Sequence, residues 1–195
     1  MSLELTIINS MLSTTGTASL SAEDTSHPNY ITALAILNSV VEEFSAKPYW
    51  FNTTYRTLQP NLEGRILVPT NALSCDPADA ALDYYVRGQY LFDNGNYTDI
   101  IGAPVDVIIV AKLALDDMPP IVIQFIRKKA RLEYYVDQDG SANKIKSYSD
   151  EYYSTERDLV ILNMKHTGAN FFKGKAYASF TTRRSAFATP FTRIQ

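Results

Sequence analysis

The chain has little of what most site chemistry needs. It carries one cysteine, Cys75, and two histidines, His27 and His166. A lone cysteine closes no intramolecular disulfide, and one Cys with two His falls short of the four ligands of a structural zinc site. No cofactor or metal is expected, and a reducing compartment fits. A cationic surplus is missing as well: 18 Lys and Arg against 21 Asp and Glu leave a net charge of −3, unlike a protein that coats duplex nucleic acid by displacing counterions. Apolar runs such as residues 107–110 and 119–123 are far shorter than the ~20 residues of a membrane span. Residues 1–8 lack the basic-then-apolar order of a secretion signal. The expectation is a chain with no membrane association, held in cytoplasm until assembly.

What is present is ordinary for a globular domain: 46% hydrophobic and 20% charged residues, enough for one sizeable core. Leu5, Ile8 and Leu12 follow helical spacing before a small-residue loop at residues 14–21. Ser26-His27-Pro28 predicts a capped helix start, after which Tyr30, Leu34, Leu37, Val41 and Phe44 form an apolar stripe ending before Pro48. From residue 49 to 116 the period changes. Val, Ile, Tyr, Phe and Thr gather in runs at residues 50–58, 65–68, 83–87, 89–92 and 105–113, separated by Pro, Gly and Asn. Gly88 predicts a tight hairpin. Asp93-Asn94-Gly95-Asn96 predicts a second turn, through the positive φ that Asn-Gly tolerates.

Helical signals return at Asp116-Asp117-Met118-Pro119-Pro120, read as an acidic cap with prolines in the first turn. Ile121, Phe125, Leu132 and Tyr135 form one stripe, closed by Asp139-Gly140. Ile145, Tyr148, Tyr152, Leu159, Leu162 and His166 form the next, closed by Gly168. These last two helices should pair antiparallel against the second. The predicted fold class is α+β: a helical bundle from residues 1–47 and 117–168 with an antiparallel β insertion at 48–116, together one domain over 1–168. An extended C-terminal arm follows at 169–195.

Catalytic readings fare poorly. His27 and His166 sit at helix ends, where capping or packing explains them. Cys75 lies in Ser74-Cys75-Asp76-Pro77, read as a turn whose neighbouring acid raises a thiol pKa. The pairs Glu42/Glu43, Asp116/Asp117 and Asp150/Glu151 are adjacent in sequence, so on a helix they diverge and do not face each other across a glycosidic bond. No catalytic residue is assigned. Arg127, Lys128, Lys129 and Arg131 read as half of an intersubunit charge pattern, ahead of DNA contact.

Several segments carry a resemblance. The order of an N-terminal helical pair, Tyr49-Trp50-Phe51-Asn52, Asp83-Tyr84-Tyr85-Val86-Arg87-Gly88, Tyr90-Leu91-Phe92-Asp93, then Asp117-Met118-Pro119 opening a long helix, resembles the tail tubular A proteins of podoviruses. The likeness continues through the basic-aromatic stretch 125–135, the acidic Tyr-rich stretch 150–163 and the exit Gly168-Ala169-Asn170-Phe171, spanning residues 3–172. It implies a homo-oligomeric ring, a dodecamer, joining the portal protein to the tail nozzle protein, with DNA passing through the lumen without sequence-specific binding. It implies no catalytic residues. An accessory tail glycan hydrolase and a DNA-binding accessory protein are the alternatives.

The end of the chain lies beyond that likeness. After Asp158 there is no acid, while Lys165, Lys173, Lys175, Arg183, Arg184 and Arg193 are basic, so residues 1–158 hold the opposite surplus. Phe171, Phe172, Tyr177, Phe180, Phe187 and Phe191 alternate with small and basic residues without steady period. The expectation is a docking arm on a sister subunit or the portal, with Lys173, Lys175, Arg183, Arg184, Phe171, Phe172, Phe180, Phe187 and Phe191 as partner-binding residues. A strand packed on the chain's own β insertion is the alternative. Tyr90, at the hairpin, is the expected contact to the nozzle.

Overall fold

The computed structural model describes residues 2–22, 26–138 and 140–167. The chain divides into two units, Met1–Leu159 and Val160–Gln195. Among the described residues four helices and two antiparallel sheets make the expected α+β fold.

Helix α1 (Leu3–Leu12) starts where Ser2 Oγ accepts the Leu5 N–H at 3.2 Å, and Glu4 sits at the positive end of the dipole. Its buried face, Leu5, Ile7, Ile8, Met11 and Leu12, is wider than a single stripe. A 3-10 turn at Ser13–Thr15 then stops on Gly16 at φ 77°, a left-handed position that glycine occupies without steric cost. The Asn9 amide clamps the returning loop, donating to the Leu20 carbonyl at 2.9 Å and accepting the Leu20 N–H at 2.8 Å.

Helix α2 (Pro28–Ser45) has proline in its first turn as expected, but the N-cap residue is His27 rather than Ser26, and its side chain makes no cap bond. The buried stripe is Tyr30, Ala33, Leu37, Val40 and Phe44; Leu34 and Val41 flank it, half-buried. Tyr30, Leu37 and Phe44 are buried as read from sequence, and the stripe differs by one position at Ala33 and Val40. Small Ala33 faces the core, and the bulkier neighbours seal the sides.

Helix α3 (Pro120–Asp137) also departs from expectation at its start. Asp116 and Asp117 belong to a separate 3-10 turn, Leu115–Asp117, and the cap residue is Pro119, with no side-chain bond. The cause is steric: a residue before proline is pushed out of the helical region, so Met118 and Pro119 are extended, with ψ near 147° and 146°. The buried residues are Val122, Phe125, Ile126, Ala130, Tyr134 and Tyr135, while Ile121 and Leu132 are half-buried. Both α1 and α2 lie against α3, and one stripe cannot serve two neighbours.

Gly140 leaves no room for a side chain, because a Cβ there would lie 2.2 Å from the Tyr135 ring. Helix α4 (Ala142–His166) then runs back antiparallel to α3. The contacts are made by long side chains: Tyr148 on Tyr135, Glu151 on Arg131, Tyr152 on Phe125 and Thr155 on Lys128. Only Thr155 and Leu159 are buried on α4.

The β insertion contains a three-stranded sheet in the order β1-β5-β2, with β1 at Thr53–Leu58, β2 at Ala72–Pro77 and β5 at Val105–Ala111, and a hairpin of β3 (Tyr84–Arg87) and β4 (Tyr90–Asp93). β5 is the spine, bonded to both neighbours. The Gly88 hairpin is as predicted: φ is 66° at Gly88 and negative at Gln89, the pattern of a type II′ turn. The second turn works differently from the prediction. Gly95 has negative φ, and Tyr97 is the left-handed residue, at φ 54°. The Asp93 carboxylate closes this turn by accepting the Asn96 backbone N–H at 3.0 Å and its amide at 2.8 Å.

Two further strand readings need correction. Residues 65–68 form only isolated bridges, from Arg65 to Ile100, Ile66 to Pro60 and Leu67 to Tyr90, because successive residues pair with different segments rather than with one continuous partner. Cys75 lies in strand β2, not a turn, buried opposite Ile109. The chain 49–52 turns before β1 instead of opening it.

Among the described residues there are two apolar cores. One joins α1, α2, α3 and Leu159; the other gathers Ile66, Val68, Cys75, Leu91, Val105, Val107 and Ile109. In the second unit the described residues continue α4 to His166, after which the Thr167 N–H and hydroxyl bond back to the Asn163 carbonyl at 2.9 and 2.8 Å.

Candidate assembly surfaces

The bundle and the insertion meet at Asn52. Its side chain is buried and fully used: Nδ2 donates to the Ser45 carbonyl at 3.1 Å and the Lys47 carbonyl at 3.0 Å, while Oδ1 accepts the Tyr49 N–H at 2.8 Å. Its own carbonyl accepts the Ala111 N–H at 2.8 Å. One residue thus ties the end of α2 and the aromatic turn to the sheet. Around it Phe44 stacks on Tyr49 at 4.6 Å and leans on Phe125 at 5.0 Å, and Phe125 meets Tyr152 at 5.4 Å. Burial pushes the Tyr49 and Tyr152 hydroxyls above their ordinary pKa, and the Tyr152 hydroxyl donates to Glu156 at 3.0 Å.

The basic stretch on α3 is largely consumed inside the bundle. Lys129, with its side chain 15% exposed, bridges Glu43 at 2.5 Å and Glu133 at 3.6 Å. Lys128 donates to the Thr155 hydroxyl at 2.7 Å. Arg131 pairs with Glu151 and lies 4.5 Å from the Tyr148 ring centroid. Arg127 is exposed. Three of the four cations therefore serve intramolecular contacts, which corrects their reading as half of an intersubunit pattern. The Lys129 hydrogen bond holds the Glu43 carboxyl below its usual pKa, while burial pushes Glu133 up.

The carboxylate pairs separate as helical geometry requires. Glu42 reaches Lys112 at the end of β5, at 3.5 Å, and Glu43 reaches Lys129 on α3. Burial, then the Asp76 charge, raises the Cys75 thiol to about 11, so little of it is thiolate at neutral pH. Among the described residues no three His, Cys, Asp or Glu side chains gather as a metal site, and no helix is long and apolar enough to cross a membrane.

Of the partner-binding residues expected from sequence, Tyr90 is half-buried on β4, its ring 5.6 Å from the Arg65 guanidinium, which also pairs with Asp99 at 3.2 Å. The arm residues Lys173, Lys175, Arg183, Arg184, Phe171, Phe172, Phe180, Phe187 and Phe191 lie outside the described residues. The insertion also exposes Leu62, Leu67, Tyr85, Val86, Tyr97 and Ile100; sequence reasoning assigned Leu67, Tyr85 and Val86 to strands without saying which face they would occupy, and gave no role to Leu62, Tyr97 and Ile100. β1 is exposed along Thr54, Tyr55, Arg56 and Thr57.

A profile of the tail tubular protein family matches residues 5–170. The chain belongs to the tail tubular protein family. A tail tubular protein A of Klebsiella phage KP34 is 26% identical over 148 residues, covering 76% of this chain and 80% of that protein. Membership makes the chain a structural component of a phage tail, located in the virion and associated with other tail components. The match takes in the helical bundle, the insertion and all of α4, and stops short of the basic, aromatic residues after 170.

Proposed function

We propose that this tail tubular family member is the head-to-tail adaptor of a short-tailed phage. It forms a dodecameric ring between the portal and the tail nozzle and leaves a lumen for DNA. The observation that carries the reading is the family match across both the bundle and the insertion, with the similar tail tubular protein A covering most of the same length.

The architecture supports it. A bundle with its polar groups paired internally makes a stiff wall, and an insertion with exposed apolar side chains offers contacts at one edge of that wall. The adaptor domain is residues 1–168, and residues 169–195 are a docking arm whose five cations and rings reach a sister subunit or the portal. The protein acts by geometry and is assembled in host cytoplasm. Electron microscopy of the purified chain mixed with portal tests this: twelve-fold rings stacked on portals are expected. Discrete monomers that leave portals bare would remove the proposal.

A further inference from the structure

The two edges of the three-stranded sheet are treated differently. At the β2 edge the register slips between Ala72 and Ser74, Pro77 ends the strand, and β3 lies alongside. Bulges, prolines and covering elements are the usual means of blunting an edge. Among the described residues β1 has none of these. Its sequence, Thr-Thr-Tyr-Arg-Thr-Leu, is rich in strand formers, and Tyr55 is 74% exposed.

The hydrogen-bond parity identifies which backbone groups face outward. Ala111 N–H bonds the Asn52 carbonyl, and the register pairs Thr54 with Ile109 and Arg56 with Val107, so even-numbered residues of β1 bond to β5. Asp106, opposite Thr57, instead gives its carbonyl to the Ala78 N–H on the β2 side. Tyr55 and Thr57 therefore turn both N–H and C=O away from the sheet, and among the described residues neither group has a partner. The two residues repeat at ~7 Å, the two-residue step of a strand. A cleft of about 320 Å³, lined by Tyr55, Arg56, Thr57, Ala78, Asp106 and Val107, opens beside them.

We propose that residues 177–184 of a neighbouring copy add to the outer edge of β1 as a fourth strand. The β insertion of one subunit then holds the C-terminal segment of the next. This rests on the ring reading above and names the surface on which the arm docks. Among the described residues nothing covers this strand. The insertion, residues 48–116, carries eight Asp and Glu against four Lys and Arg, whereas residues 169–195 carry five Lys and Arg and no acid. Residues 175–189 contain neither Gly nor Pro, and residues 177–184 supply Tyr177, Phe180, Thr181 and Thr182 as strand formers. The ten residues from 168 to 177 span up to ~35 Å when extended.

The test combines one measurement on unmodified protein with two substitutions. Hydrogen exchange is followed at Tyr55 and Thr57 in the assembled full chain and in a chain ending at residue 176. The expected result is exchange on the order of tenfold slower in the assembled full chain only. Tyr55→Pro removes an outward N–H while sparing the β5 ladder, and should reduce assembly as truncation does; Tyr55→Ala, which keeps the edge, should assemble.

Oligomers with unprotected edge amides, or protection that survives truncation, would overturn the proposal and leave the ring reading intact. Protection in full-length monomer at concentrations below assembly overturns the exchange between copies. Equal loss of assembly in Tyr55→Ala assigns the contact to the phenol ring instead. If Tyr55→Pro does not fold, the exchange comparison decides alone. A full chain that forms no oligomer, with or without portal, defeats the ring reading itself.

Discussion

In the helical bundle the largest side chains point inward: Tyr30, Tyr134, Ile7, Leu37, Ile126 and Leu159 are all under 2% exposed. In the β insertion, Leu62, Leu67, Tyr85, Val86, Tyr97 and Ile100 face solvent, and the core beneath is a single layer of seven residues. The polar groups divide the same way. Lys128, Lys129 and Arg131 are tied to partners across the bundle, whereas the outward amides of Tyr55 and Thr57 have no described partner. The contrast teaches where each region gets its stability. The bundle pairs the basic stretch of α3 internally while still exposing Ile31, Val136 and Tyr153, and the insertion adds an exposed apolar surface and an open strand edge.

The sharpest way to break this comparison is to attack the bundle. Leu159→Asp places a carboxylate in the apolar core that joins α4 to the other helices. The expected loss is about 4 kcal/mol or more, enough to unfold a marginal domain. Circular dichroism melting should show an unfolded or much less stable chain; a normal melt would mean that α4 does not contribute to the core.

Asn52→Ala probes the joint between the regions. It leaves two carbonyls and one N–H without their side-chain partners, for a loss of about 2–3 kcal/mol. Urea unfolding should move to lower midpoint, and if the insertion loosens first, its amides should exchange before those of α2. A single cooperative shift with no early exchange would make the joint part of one folding unit.

The sequence showed much of the bundle because helical ends carry punctuation: Pro28, Pro120 and Gly140 each act near where their residue types suggest. It misplaced the stripe on α2 because Leu34 and Ala33 compete for the same face, and hydrophobicity favours the wrong one. β2 was invisible for another reason. Ala-Leu-Ser-Cys-Asp-Pro has weak strand propensity, and it pairs only because β5, with its alternating Val105, Val107 and Ile109, offers a buried partner. Asn52 leaves no periodic signal at all, since a single polar residue acquires its role from carbonyls several residues away. The open edge of β1 depends on strand order, which composition does not encode.

Surface aromatics of the insertion test the other side of the contrast. Tyr97 is 75% exposed, and its ring touches Phe92 edge-on at 5.4 Å. Because its backbone is left-handed, Tyr97→Asn retains a residue that tolerates this conformation. Stability should change by less than about 0.5 kcal/mol, while attachment to other tail components should weaken in a co-sedimentation assay. Unchanged attachment would separate this ring from the assembly surface.

The smallest effect lies in the charge cluster of Glu43, Lys129 and Glu133, where two carboxylates share one ammonium. The folded-state pKa of Glu43 lies below its ordinary 4.5, chiefly through the Lys129 hydrogen bond. Its contribution is therefore complete above pH 4.5 and lost as pH falls through the folded value. Glu133 moves the opposite way because burial raises it above 4.5. It stabilises the fold as pH falls through its folded value, and that gain disappears as pH rises toward neutrality. Together they predict a shallow stability maximum in mild acid, with an acid limb of about 0.5 kcal/mol because Glu43 is more than half exposed and screened. Melting temperature measured across pH 3.5 to 7 should lose its acid limb in Glu43→Gln and its neutral limb in Glu133→Gln. If both variants retain the unmodified profile, other groups set the pH response, and the bundle's internal pairing is energetically neutral at this site.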